Sequence, residues 1–273
     1  MSKYPHHAQT LTIVLPGDDV TNQIPSMPPP PLGAANSKPL KLGSGLRRMN
    51  DSIIATLAGR LQYISNKSTI FVQQNIQRYR PTKEDRVIGI VEERVGSDGA
   101  GGDVVRVNIN GPHPAVLSNL SFEGATKRNK PQLSPGMLLY ARVATTPLHT
   151  DPTLSCQIGP NDPGVVRKDW MTNENTYGEL RGGTCRKIPL GLARELLHPD
   201  NLVLSELAKQ GLAFEVAIGV NGYLWVHSTR PQYTTLIHNA IYNSQVLTEA
   251  QVRGMVKSLV ETVHKQLEEE DDD

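Results

Sequence analysis

Cysteine, aromatic residues, long apolar runs and net charge are all scarce in this chain of 273 residues. Cys156 and Cys185 are the only two cysteines, too few for a four-ligand zinc site. They do not read as a disulfide framework either, so a reducing compartment is expected. No apolar run approaches the ~20 residues that a membrane-spanning helix needs, and no membrane partner is expected. The first nine residues hold one Lys and two His without an apolar core, which does not read as a secretory signal. The formal net charge is +1. Taken whole, that value argues against nucleic acid as a partner, because phosphate binders usually carry a basic excess.

The charge is unevenly spread, however. Residues 1–80 hold nine basic and three acidic residues, residues 81–160 eight of each, and residues 161–267 eleven basic and ten acidic. Glu268 to Asp273 are all acidic. The near-zero sum therefore hides a basic first third and an acidic tail. Like charges repel and oppose the dipole at a helix C-terminus, so 268–273 reads as a disordered tail.

Local patterns divide the chain in the same places. Thr10–Leu15, Ile53–Ala58, Leu61–Ser65 and Thr69–Val72 are short apolar stretches separated by turn residues. They read as strands of a small β domain over 1–80. Pro25–Gly33 (PSMPPPPLG) interrupts it as a polyproline-like loop. After the joint at Tyr79-Arg80-Pro81 come Arg86–Val91, Val104–Ile109, Ala115–Leu120, Met137–Ala144 and Leu154–Ile158. Short strands with turns between them suit a small OB-type barrel over 81–160. From 161 to 267 the pattern is α+β. Helical periodicity at Leu190–Leu197, Asn201–Lys209, Pro231–Asn243 and beyond Thr248 surrounds strand signals at Ala213–Ile218 and Tyr223–Val226. Thr248 and Gln251 have capping-box spacing.

Enzyme signatures are weak. Gly96–Asp103 lacks the Gly-Lys-Ser/Thr ending of a phosphate-binding loop and sits between two strand signals. Asp103, His113 and Ser118 can be assembled on paper into a triad, but no Gly-x-Ser-x-Gly elbow accompanies them. Asp18-Asp19, Glu84-Asp85 and Glu92-Glu93 are sequence neighbours, which on a strand point to opposite faces. No catalytic residue, metal site or cofactor is assigned.

Binding signals are stronger. In Asn119–Pro131 (NLSFEGATKRNKP), Lys127, Arg128 and Lys130 follow Phe122 within a Gly- and Asn-containing loop. Cations that neutralise phosphates beside a ring that stacks a base are the working parts of single-strand recognition on OB barrels. Phe122 either stacks a base or packs the loop. Arg106, on the 104–109 strand signal, is a further candidate cation. Gly219-Val220-Asn221-Gly222 has the Gly-x-x-Gly spacing of a KH clamp. It lies between two strand signals, and Asn-Gly is the favoured pair of a two-residue hairpin. Gly219, Asn221 and Gly222 are therefore assigned to a structural turn.

The strings LSFEGATKRNKP (Leu120–Pro131), RVIGIV (Arg86–Val91) and GVNGYLWV (Gly219–Val226) resemble the S1-plus-KH cap subunits of the RNA exosome. VLPGD (Val14–Asp18), GSGLRR (Gly43–Arg48) and ATLAGRL (Ala55–Leu61) are similar to the amino-terminal β domain of that family. The resemblance covers roughly Leu11–Leu267. It implies an amino-terminal β domain, an S1-type OB barrel and a carboxy-terminal KH domain. It implies no nuclease activity. It places such a chain among RNase PH-like ring subunits and other cap subunits, in the nucleus and nucleolus and also the cytoplasm. There it stabilises the ring and guides single-stranded RNA into the pore toward associated ribonucleases. By the same resemblance, Lys127, Arg128 and Lys130 match the family's RNA-facing S1 loop, and Gly219, Asn221 and Gly222 its structural turn. Two other readings stand beside it: an adaptor of a ribonucleoprotein complex with incidental RNA contact, and a hydrolase built on the paper triad.

Overall fold

Short segments of alternating apolar and polar residues build the first two thirds of the chain, and helices close the last third. The computed structural model describes residues 8–23, 40–64, 68–73, 78–95, 104–159, 170–172, 176–198 and 200–272. The polyproline loop 25–33 and the Gly-rich run 96–103 lie outside these residues. The chain divides into two compact units, residues 2–76 and 77–273.

The first unit contains β1 (Ala8–Val14), β2 (Lys41–Leu42), β3 (Leu46–Met49), β4 (Ser52–Ala55), β5 (Gly59–Ile64) and β6 (Thr69–Gln73). One sheet has the order β1-β5-β6-β2, and β3 pairs with β4 as a separate hairpin. Asn50 makes the β3–β4 turn at φ +53°, a left-handed conformation that Asn tolerates. Val14, Val20, Ile53, Ala55, Leu61, Ile70 and Val72 form its buried core.

The second unit begins with β7 (Arg86–Val95), β8 (Val104–Asn108), β9 (Ala115–Phe122), β10 (Leu138–Thr145) and β11 (Thr153–Cys156). Their order is β11-β9-β8-β7-β10, and antiparallel β10–β11 pairing closes the barrel. Alternation fills its interior: Val105 and Val107, Ala115 and Leu117, and Leu139, Ala141 and Val143 are all buried. On β7, Ile88 is fully buried as well as Val87, because a second layer covers its outward face. A short strand, β12 (Gly178–Glu179), adds to the outer side of β10.

That second layer is an α+β domain. It comprises β13 (Thr184–Lys187), α1 (Leu190–Leu196), α2 (Leu202–Lys209), β14 (Phe214–Ile218), β15 (Tyr223–Ser228), α3 (Pro231–Asn243) and α4 (Glu249–Asp272). The antiparallel sheet has the order β13-β15-β14. Side chains alternate along β15, which gives the sheet two jobs. Leu224 and Val226 pack into the helical core with Leu192, Leu207, Ile237 and Val256. Tyr223 and Trp225 face the other way and pack on Ile88 of the barrel, with Ile90, Leu138 and Tyr140 around them.

Helix ends follow the sequence signals. The Leu204 N–H donates to Asn201 Oδ1 at 3.1 Å, capping α2, and Pro231 occupies the first turn of α3. At α4 the Thr248 N–H donates to Gln251 Oε1 at 2.9 Å, one half of a capping box. Where a disordered tail was expected, α4 continues over 268–272 of the acidic run. Glu is a good helix former, and extending an existing helix costs far less than nucleating one, so the packed body of α4 carries the helix onward despite the charge.

Candidate nucleic-acid interface

The candidate loop leaves the barrel where β9 ends. Phe122 is 3 % exposed, so its ring packs inward. Burying such a ring is worth about 1.5–3 kcal/mol, and that energy holds it there. The Ala125 N–H donates to Phe122 O at 3.2 Å. Gly124 supplies the positive φ (+75°) that this tight turn requires. The Thr126 N–H then donates to Asn129 O at 2.8 Å, and the Asn129 N–H donates to Thr126 Oγ1 at 3.1 Å. This reciprocal clasp leaves Lys127 and Arg128 at the tip of a closed turn. Both are exposed, and among the described residues neither has an ion-pair partner. Lys130 is half-buried and already engaged.

The turn is tied to a 3-10 segment, Trp170–Thr172. The Trp170 N–H donates to Glu123 O at 3.1 Å, and Asn129 Nδ2 donates to Met171 Sδ at 3.1 Å. Lys127 and Arg128 therefore stand as cations on a braced loop, and among the described residues neither is held in an internal ion pair.

Arg106 does not join them. It opposes Val116 on β9, six residues before Phe122 and so roughly 20 Å along the strand. Its Nη1 donates to Glu93 Oε1 at 2.8 Å, with both side chains substantially exposed. Such a pair is worth at most about 1 kcal/mol, but it compensates the charge. Arg106 is a cross-strand ion-pair partner and not part of the cationic tip.

The Gly-x-x-Gly tetrapeptide lies elsewhere, as the turn between β14 and β15. The Gly222 N–H donates to Gly219 O at 3.0 Å, and Gly222 has φ +79°. Asn221 is fully buried and joins the two domains. Its Nδ2 donates to Ile88 O at 2.7 Å and to Ile109 O at 2.9 Å, and its Oδ1 accepts from the Ile88 N–H at 3.2 Å. The side-chain amide thus pairs with the Ile88 backbone as a neighbouring strand would. Val220 N–H adds a bond to Arg86 O at 2.9 Å, and Asn110 Nδ2 donates to Asn221 O at 3.0 Å. Gly219 has to be Gly here, because a Cβ would come within 2.8 Å of the Ile88 nitrogen.

A phosphate clamp between helices needs glycine so that backbone N–H groups can approach the strand. The segment between α1 and α2, 197–201, has none. It carries Asp200, and the Asn201 N–H donates to His198 O at 3.2 Å. Of the paper triad, the described residues show no mutual contact between His113 and Ser118. Ser118 Oγ accepts from the Leu120 N–H of its own strand at 3.2 Å, and Asp103 is outside the described residues. Among the described residues no cluster of His, Cys, Asp and Glu is suited to a metal ion. Burial pushes the Cys185 thiol up to about 11 and the Cys156 thiol higher still.

Fold and loop define an S1-type barrel fused to a KH domain whose tetrapeptide turn is a structural joint, preceded in the chain by a small β domain. Three family models match in that order. They are the Exosome complex exonuclease Rrp40 N-terminal domain over 40–78, the S1 domain of Exosome complex component RRP40 over 79–161 and a KH domain over 183–232. No catalytic domain is among the three. The chain is 34% identical to Exosome complex component RRP40 of Drosophila melanogaster over 232 residues, 85% of this chain and 88% of that one. It is 32% identical to the Homo sapiens protein of that name over 270 residues, 92% of this chain and 90% of that one. A crystal structure assigned to an exosome complex RNA-binding protein shares the fold, with TM-score 0.51 and 18% identity, over 69% of this chain and 99% of that one. The chain belongs to the RRP40 family of exosome complex components.

Sequence reasoning missed Trp170, which ties the cationic turn to a segment outside the expected barrel, and Tyr177 and the short strand β12, which pack on β10. An isolated Trp in a chain with only two was the available signal.

Proposed function

We propose that this chain is a noncatalytic, RNA-contacting subunit of an exosome complex. In this reading it sits with other cap subunits against RNase PH-like ring subunits, stabilises the ring, and guides single-stranded RNA into the pore toward associated ribonucleases for 3'-5' processing and degradation. Its three-part domain plan has limits near residues ~80 and ~160. It works in the nucleus and nucleolus and also in the cytoplasm. The observation that carries the reading is the exposed, uncompensated pair Lys127 and Arg128 on a braced S1-domain turn. The names of the relatives, and of the RNA-binding protein that shares the fold, support it.

The mechanism is positional. Cations release counterions when they meet the phosphate backbone, which makes binding salt-dependent and indifferent to sequence. With few such contacts, RNA affinity of the isolated chain is weak, and the assembly supplies the local concentration. A pull-down of the tagged chain, followed by mass spectrometry, tests membership: RNase PH-like proteins should appear in near-equal amounts, and their absence would overturn it. The second reading is an adaptor with incidental RNA contact. It is favoured by the glycine-free segment 197–201 and by the buried Asn221 joint. It predicts that replacing Lys127 and Arg128 leaves RNA crosslinking unchanged.

A further inference from the structure

Next to the cationic turn the barrel carries a cavity of about 330 Å³ that the S1–KH joint does not use. Its walls are Phe122, Leu133, Tyr177 and Trp170, and its rim carries Gln132, Glu179 and Arg181. The walls are fixed from behind. Tyr177 stacks on Tyr140, with ring centroids 5.6 Å apart and planes 25° from parallel. Leu133 O accepts from Arg94 Nε at 3.0 Å, and β12 locks Gly178 and Glu179 onto β10. The rim presents both kinds of hydrogen-bonding group: Arg181 Nε donates to Glu179 Oε2 at 2.9 Å, and the exposed Gln132 amide offers one of each.

We propose that this cavity receives one nucleobase of a single-stranded RNA whose phosphates lie on Lys127 and Arg128. The inference rests on the RNA-contacting reading of those two cations and extends it to a base subsite. Phe122 belongs to both features, as a wall of the cavity and the first residue of the turn. Arg128 is three residues from Pro131, another lining residue, so their Cα atoms are at most ~11 Å apart. A few nucleotides cover that span at a rise of ~3.4 Å each in a stacked strand. Unstacked RNA bases are held by aromatic side chains and by hydrogen bonds to their edges; the half-buried Trp170 offers the ring and the exposed rim the hydrogen bonds. An apolar side chain of a partner protein would fill the walls equally well, but it leaves the two adjacent cations uncompensated, so charge favours the polyanion.

The test compares the full chain's affinity for a single-stranded oligoribonucleotide and for its fully abasic counterpart. A stacked base makes the base-bearing strand bind about tenfold more tightly. It also quenches Trp170 fluorescence, whereas the abasic strand does not. Gln132→Ala combined with the charge-neutral double E179A/R181A moves that ratio toward one and leaves abasic binding unchanged. These side chains are exposed, so the fold tolerates their loss. K127A/R128A weakens both strands alike. Equal affinity for the two strands, with K127A/R128A still weakening both, overturns the base subsite and leaves the cation reading standing. No effect of K127A/R128A on either strand overturns that reading and the subsite with it. Equal affinities, with Trp170 shielded from a soluble quencher only in the assembled complex, identify a protein occupant and also overturn the proposal.

Discussion

Asn221→Ala tests the S1–KH joint at its most constrained point. The substitution deprives the Ile88 N–H, Ile88 O and Ile109 O of their side-chain partner. Asn221 has no exposed surface, so solvent does not simply replace the amide. A buried polar group left unsatisfied costs about 1–3 kcal/mol, and relaxation offsets part of the sum over three, giving about 3 kcal/mol. For a unit spanning residues 77–273, each kcal/mol moves the midpoint by ~2–4 °C, so thermal unfolding should shift down by ~6–12 °C. Circular dichroism measures it, with Trp225 fluorescence as a local probe because Trp225 packs on Ile88. Asn221→Asp refines the test. It keeps the acceptor for the Ile88 N–H but turns an oxygen toward Ile88 O and Ile109 O, which disfavours the carboxylate and raises its folded pKa above the unfolded value of ~3.9. A raised folded pKa gives stability that is present below the unfolded value and lost as pH rises through the folded one. The deficit of N221D relative to the parent chain is therefore smaller at about pH 5 than at about pH 8. A shift under ~2 °C for N221A, or a pH-independent deficit for N221D, would refute the reasoning.

Other perturbations follow from single contacts. Gly222→Ala forces a Cβ to φ +79° and to 2.7 Å from Ile188 O, whereas Gly211→Ala at φ +76° meets open space. In denaturant titration G222A should therefore cost clearly more than the ~1 kcal/mol expected of G211A. Burial holds the His238 pKa below 6.5, with Arg186 adding to the shift and the hydrogen bond with Thr184 O opposing it. That contribution to stability is present above about 6.5 and is lost as pH falls through the lower folded value. NMR should find His238 titrating below its unfolded value, and a midpoint above 6.5 contradicts the packing. Cys156 and Cys185 should resist a thiol reagent near neutral pH until the chain unfolds, since burial keeps both thiols protonated. Rapid labelling of the native chain is the contrary result.

The barrel was legible because its strands alternate apolar and polar residues, so Val105 and Val107 or Leu139, Ala141 and Val143 announce one buried face. β13 was not, because Thr184–Lys187 is polar and mostly exposed at the edge of its sheet. The turn assignment of Gly219–Gly222 came from local chemistry alone. The joint made by Asn221 did not, since its partners lie 133 and 112 residues away in sequence. In the candidate site, Lys127 and Arg128 were readable as cations in a loop. Phe122 was not decidable, because an aromatic at a strand end packs inward or stacks outward according to neighbours such as Trp170 and Tyr177, which approach from outside the barrel. The ion pair of Arg106 was not readable, because Glu93 faces it across the β7–β8 pair and lies 13 residues away in sequence. The acidic run was read by its charge, whereas the continuation of α4 over 268–272 depends on the helix that precedes it.

The central claim is that the S1-domain turn meets RNA while the chain sits in its assembly. The most direct measurement is ultraviolet crosslinking of single-stranded RNA to this chain in the reconstituted complex, across a salt series, with and without K127A/R128A/K130A. Each lost phosphate contact should flatten the dependence of log affinity on log salt by ~0.7, so the variant should crosslink less and with a slope shallower by ~1.4–2. Crosslinking of the same yield and slope in the variant complex would contradict the account.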